Sequence, residues 1–186
     1  IRDDVDRMDR LITDIASASR LDAELSRTET TPIVLVQLCQ LLVSVYAAQP
    51  EQAPLVLTTP VPETLVVRGV EGRLMQVLRN LIDNARSFTP SGGTVRLLVS
   101  AADKQAQIEV EDDGPGIPEN KLEAIFDRFY SERPAQEKFG QHSGLGLSIA
   151  RQIVEAHGGK IWAENRKDAS GAVIGARFTV MLPLVL

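Results

Sequence analysis

The chain has 186 residues, 44% of them apolar, a net charge of −5 and a pI near 5.1, enough for one domain of ordinary size with its own core. Its basic residues are scattered, which excludes the electrostatic footprint of a nucleic-acid binder, and the single cysteine, Cys39, excludes an internal disulfide and suits a reducing compartment. No apolar run approaches a bilayer span, and the charged opening is no signal peptide, so the chain reads as a soluble piece of something longer that opens in mid-pattern.

Ile1, Val5, Met8, Ile12, Ile15 and Ser19 follow the four-three alternation of a heptad seam, with Asp3, Asp4, Asp6, Arg7, Asp9 and Arg10 on the other faces. That pattern predicts a coiled-coil-like helix over 1–27 that asks for a partner helix or packs on its own domain. Polar residues between Ser26 and Thr31 make a short linker, and Pro32 reads as the first turn of a new helix capped by Thr31. The apolar run 33–48 is long enough for that helix, and Cys39 within it reads as a small buried hydrophobe. Two short strand-like pieces, 55–58 and 64–67, follow between prolines.

A longer amphipathic helix begins near Val70. Leu74, Leu78, Leu81, Ala85 and Phe88 mark its core face. Asn80 and Asn84 lie four apart, on a second face of the same helix. Asparagine competes for backbone hydrogen bonds and suits a helix interior poorly. Two aligned amides are either solvent-exposed or oxygen ligands for a hard cation such as magnesium, which completes its shell with waters and phosphate oxygens. After the stop at residues 89–93 come two alternating strands, 94–100 and 105–111, joined by a turn. The order predicts an α+β domain, with helices on one face of a mixed sheet.

The second strand runs into Glu111-Asp112-Asp113-Gly114-Pro115-Gly116-Ile117-Pro118. Glycines there let a ligand approach the backbone, and Asp112 can accept from a donor such as an exocyclic amine; a tight turn with a solvated acid would look the same. A second motif, Ser143-Gly144-Leu145-Gly146-Leu147-Ser148, opens a periodic helix over 149–156. Glycines at a helix start leave amide N–H groups free for phosphate, although this is neither the dinucleotide fingerprint nor a Walker loop.

Taken in order, Asn-x-x-x-Asn, Asp-x-Gly-x-Gly, Phe126-Asp127-Arg128-Phe129, Gly-Leu-Gly-Leu, His157-Gly158-Gly159 and Gly175-x-x-Phe178 make a specific set. The stretch 32–183 resembles the catalytic ATP-binding domain of a sensor histidine kinase, in the superfamily shared with gyrase and the mismatch-repair ATPases. The details are closest to envelope-sensing kinases of alphaproteobacteria. Ser19-Arg20-Leu21 within 1–27 resembles the second helix of that family's dimerisation and phosphotransfer hairpin. The resemblance implies a two-layer α/β sandwich over 28–186, preceded by that helix.

It also implies roles. Asn84 matches the asparagine that ligates magnesium between the ATP phosphates, and Asn80 its companion in the transfer step. Asp112 matches the acid that reads the adenine amine, with Gly114, Gly116, Ile117 and Phe88 around the base. Ser143, Gly144, Leu145, Gly146 and Leu147 match the phosphate-side glycine box, at the end of a lid over 131–143. The family often carries a basic residue where this chain has Ser87, and another where it has Ser131. Arg86, Arg128, Arg133 and Lys138 are therefore the pool of cations for the terminal phosphates, with Arg128 the first choice.

The family's acceptor histidine lies upstream of Ile1, so the resemblance implies that this stretch binds Mg-ATP without labelling itself. His142 falls in the lid, and His157, ending a helix, reads as a structural, partly positive group against the helix dipole. In the parent the phosphoryl passes from the histidine to an aspartate of a response-regulator receiver domain. The resemblance further implies a parent that is a homodimer through the N-terminal helix, in the inner membrane through upstream segments, with this part on the cytoplasmic side. Two other readings keep the ATP site: a protein-serine kinase of the anti-sigma type, and a nucleotide-gated interaction module without turnover.

Overall fold

The computed structural model describes residues 29–49, 52–58, 65–128, 130 and 144–185. The helix expected over 1–27 and the lid over 131–143, with Arg133, Lys138, His142 and Ser143, lie outside the described residues.

Pro32 does not open a helix. Thr31–Val34 forms strand β1, paired antiparallel with a strand over Val66–Gly69 from Thr31↔Gly69 to Val34↔Val66. A proline is tolerated on such a two-stranded ribbon, and the β-branched Ile33 and Val34 suit it. Helix α1 starts only at Leu35 and runs Leu35–Ala47. The Leu35 N–H donates to the Leu65 carbonyl, which fixes the junction.

Beyond α1 come β2 (Leu55–Leu57), β3 (Val66–Gly69), α2 (Glu71–Phe88), β4 (Val95–Ala102), β5 (Gln105–Glu111), α3 (Gly146–Ala156), β6 (Lys160–Lys167) and β7 (Val173–Pro183). Five strands make one sheet in the order β2-β4-β5-β7-β6, in which only the β2–β4 pair is parallel. Asp103 and Lys104, both at positive φ, make the two-residue turn between β4 and β5 that matches the strand twist. Strand β6 was not anticipated from the sequence.

Alternation sorts the two faces of the sheet. Val95, Leu97, Val99, Ala106, Ile108 and Val110 are buried and join α1, α2 and α3 in one core. Along α2, Leu74, Leu78, Leu81 and Ala85 occupy the expected core seam, but Phe88 is 41% exposed and is not part of it. Cys39 is wholly buried, and that burial pushes its thiol up to about 12. On the opposite face Glu164, Arg177, Glu111 and Arg96 form one row across four strands in register. Arg177 pairs with Glu164 at 2.9 Å and Glu111 at 2.6 Å, so charge partners charge where no helix covers the sheet. The result is the expected two-layer α/β sandwich.

Two polar rungs set α2 against α3. The Val70 N–H, at the start of α2, donates to His157 Nε2 at 3.1 Å, and the His157 Nδ1 lies 2.7 Å from the Ile153 carbonyl. Nε2 therefore holds a lone pair and Nδ1 the proton, which corrects the expectation of a partly positive ring. Its place requires Gly69, where an added Cβ would lie 2.6 Å from the ring. Further along, Asn80 Nδ2 donates to the Gly146 carbonyl at 2.9 Å. With 70 joined to 157 and 80 to 146, the helices run antiparallel.

Candidate nucleotide site

The predicted residues fall along α2 in a single progression. Asn80 meets the first residue of α3. Asn84 lies four residues on, about 6 Å further along the axis, beyond the level at which Asn80 meets the start of α3. A further turn brings Phe88, whose carbonyl would be 2.9 Å from a Cβ added at Gly114. Asn80 to Phe88 is about 12 Å of helix, and one surface thus joins both glycine motifs.

The glycine-rich turn begins α3 earlier than the periodicity suggested, at Gly146. Gly144 adopts positive φ, which favours glycine. Leu145 is buried as an anchor, and its carbonyl accepts from the Ile149 N–H and the Ser148 hydroxyl, each at 2.9 Å. No side chain caps this helix. Its first-turn N–H groups, including those of Gly146 and Leu147, have no intrahelical partner and give the end of α3 a partial positive charge.

Asn84 is half-buried, and among the described residues its side-chain amide makes no hydrogen bond, unlike that of Asn80. Sequence pattern made the two asparagines equivalent; the structure separates a tether from an uncommitted ligand group.

At the other end, Asp112 is 3% exposed. Its Oδ1 accepts the Gly114 N–H at 2.8 Å and the Ala176 N–H at 3.1 Å, while no described residue bonds Oδ2. Burial raises its pKa, against the pull of those two amides and of Arg166. One oxygen is thereby saturated and the other is left as an acceptor. This rules out a turn with a solvated acid. Asp113, its neighbour, goes the opposite way. The Arg96 guanidinium holds it with bonds of 2.7 and 3.1 Å, assisted by the Thr94 N–H and Arg166, and lowers it to about 2.

Gly116 has positive φ, and a Cβ there would lie 2.4 Å from Val173 and 2.7 Å from Asn165. Ile117 is held through its backbone. Its N–H donates to Asn165 Oδ1 and its carbonyl accepts from Asn165 Nδ2, both at 2.7 Å.

Of the cation pool, Arg86 is removed. It is buried, donates to the Ala53 carbonyl at 2.8 Å and to Gln49 at 2.9 and 3.0 Å, and stacks over Tyr46 with its guanidinium carbon 5.0 Å from the ring centre. Its role is to pin the loop after α1 onto α2. Arg128 is exposed and among the described residues has no ion pair. The box before it is anchored by Phe126, which packs edge-on against Phe178 at 6.2 Å and lies under the Arg151 guanidinium at 4.3 Å.

Sequence reading missed Asn165, Arg166 and the part played by Gly175. A Cβ at Gly175, whose φ is +151°, would fall 1.9 Å from the Asp112 carbonyl, so only glycine lets β7 pass. An asparagine inside a strand was the one available signal, since strands are depleted in it.

Residues 69–186 match the model of the histidine kinase-, DNA gyrase B- and HSP90-like ATPases. The chain belongs to this family. The resemblance to sensor histidine kinases holds as well: the chain is 46% identical over 188 aligned positions to the sensor protein ChvG of Agrobacterium fabrum (strain C58 / ATCC 33970), an alignment covering 97% of the chain and 32% of that protein. The chain spans about a third of the length of such curated relatives. Among solved structures it matches full-length ShkA in complex with AMPPNP, with a TM-score of 0.76, 26% identity and coverage of 97% of this chain and 36% of that one. It also matches the histidine kinase ThkA in complex with the response regulator protein TrrA, with a TM-score of 0.69, 27% identity and coverage of 96% and 48%. Among the described residues no helix is long and apolar enough to cross a membrane.

Proposed function

We propose that the ATPase domain, residues 28–186, binds Mg-ATP along α2 and, in the whole protein, transfers the γ-phosphoryl to a histidine of a dimerisation hairpin to which residues 1–27 contribute. The observation that carries this is the half-used carboxylate of Asp112 at one end of α2 and the uncapped start of α3 toward the other. Asp112 Oδ2 accepts the adenine amine, with the exposed ring of Phe88 and the side chain of Ile117 beside the base. The amides of Gly144, Leu145, Gly146 and Leu147 receive phosphate oxygens, with Ser143 as the preceding residue of the box.

Asn84 is the protein's ligand for magnesium. An amide oxygen together with substrate phosphate oxygens suits this hard cation. When bound, magnesium neutralises charge on the phosphates. Asn80 keeps α3 in place for the transfer, and Arg128 offsets charge at the terminal phosphate. Chemistry of this kind rests on positioning and charge more than on covalent help from the protein. The complex of ThkA with TrrA supports a response-regulator aspartate as the next acceptor, and the ShkA complex supports an adenine nucleotide as ligand. We assign the whole protein to the inner membrane as a homodimer, with this domain on the cytoplasmic side.

The test is to incubate the chain with γ-labelled ATP, magnesium and a separately expressed dimerisation hairpin from a homologous sensor kinase. The expected product is label on the hairpin that is lost in acid and kept in base, as a phosphoramidate requires. Acid-stable label would indicate a serine kinase, and nucleotide binding without any label a gated module.

A further inference from the structure

Two residues near the end of β6 hold the Asp112 loop from opposite faces of the sheet. Asn165 lies on the helix side, and its amide matches the N–H and the carbonyl of Ile117 at 2.7 Å each, as a neighbouring strand would. Arg166 lies on the open side. Its Nη1 donates to the Asp112 carbonyl at 2.7 Å and to Asp113 at 3.0 Å, and its Nε meets Glu111 at 3.2 Å. The strand shifts register between Arg166 and Lys167, so the ladder with β7 becomes irregular next to these two side chains. At Gly116 any side chain would collide with its neighbours, because an added Cβ would lie 2.7 Å from the Asn165 amide oxygen and 2.4 Å from Val173.

We infer that Asn165 is a positioning residue that sets the choice of base at this site. Its amide is committed to Ile117 and does not itself read the ligand. What it fixes is the gap between Ile117 and Asp112 Oδ2. Oδ2 selects adenine because an ionised oxygen rewards a 6-amino donor and repels a 6-oxo acceptor. That discrimination works only while the loop holds the carboxylate at hydrogen-bond distance from the base edge, and loosening the far end of the loop lets either purine settle. Arg166 secures the near end through the Asp112 backbone. This inference rests on the ATP-binding reading above.

The experiment compares the Kd of ATP and of GTP, with magnesium, for the native chain and Asn165→Asp. The isosteric acid keeps the acceptor for the Ile117 N–H but faces its carbonyl with a second oxygen. One lost bond plus that repulsion should weaken ATP about tenfold, while GTP changes little, so that the ATP-to-GTP preference collapses by a similar factor. Lys167→Ala, two residues away in an exposed pair with Glu119 at 3.2 Å, should leave the preference intact. If thermal melting shows Asn165→Asp unfolded, Asn165→Thr, which suits a strand and cannot make both bonds, is measured in its place with the same expectation. An unchanged preference in the folded variant overturns the inference alone. A native chain that binds neither nucleotide, or both alike, overturns the ATP reading and this inference with it.

Discussion

The base end and the phosphate end of the site are built in different ways. Around Asp112 almost every polar group is already engaged: Oδ1 by two amides, Ile117 by Asn165, the Asp112 carbonyl by Arg166, and Asp113 by Arg96. At the other end the Asn84 side-chain amide makes no hydrogen bond among the described residues, and no side chain caps α3. On the proposed ATP-binding reading, the difference teaches that the base meets a preformed surface, whereas the phosphates and metal would complete an end at which, among the described residues, the Asn84 amide is uncommitted. Preorganisation at one end reduces the ordering cost of binding, and the open end leaves space for a group to be transferred.

The largest effect should come from Asp112→Asn, which keeps an acceptor for the two amides but offers the base a donor where it had a charged oxygen. Removing a charge-assisted bond and adding a clash should weaken ATP by about 3 kcal/mol, roughly a hundredfold. Calorimetry measures that loss, and thermal melting should show a fold no less stable, since the buried charge is gone. Strong residual ATP binding would break the preformed-surface side of the comparison.

Arg86→Ala sharpens the other side. If the phosphate end owes nothing to Arg86, this change should cost about 2–4 kcal/mol of folding stability through the lost bonds to Gln49 and Ala53 and the stack on Tyr46. The ATP affinity of the folded molecules, titrated below the melting range, should not change. A selective loss of affinity would return Arg86 to the phosphates.

Asp113→Asn comes next, and its sign follows from titration. The folded carboxyl sits at about 2, below its ordinary 3.8. Its stabilisation is therefore complete above the unfolded pKa and disappears as pH falls through the folded one. Urea unfolding should show the variant about 2 kcal/mol less stable at pH 7, with the gap to the native chain closing between pH 4 and 2. Asp112, raised by burial, works in the opposite sense: its cost is present above its folded pKa and is relieved on acidification.

Much of this was legible in the sequence, for local reasons. Helix α2 declared itself because Leu74, Leu78, Leu81 and Ala85 repeat at helical spacing, and the glycine motifs because glycine marks backbone constraints wherever it falls. What stayed hidden depended on residues distant in the chain. Thr31-Pro32 reads as a helix start until β3 pairs with it. Phe88 keeps the period of the core seam yet, as the last residue of α2, is exposed. Arg86 lies two residues from Asn84 in sequence and is committed elsewhere, to a loop that no periodicity places there. Asn165 and His157 act through backbone groups, of Ile117 and of Val70 and Ile153, and a side chain that bonds to backbone leaves no complementary residue to notice.

The central claim is that Asn84 is the protein's share of a metal site completed by the nucleotide. Calorimetric titration of ATP with and without magnesium, on the native chain and on Asn84→Ala, tests it most directly. The account predicts that magnesium tightens ATP on the native chain, and that Asn84→Ala loses this gain while keeping its magnesium-free affinity and its melting temperature. An equal response to magnesium in both proteins would contradict it.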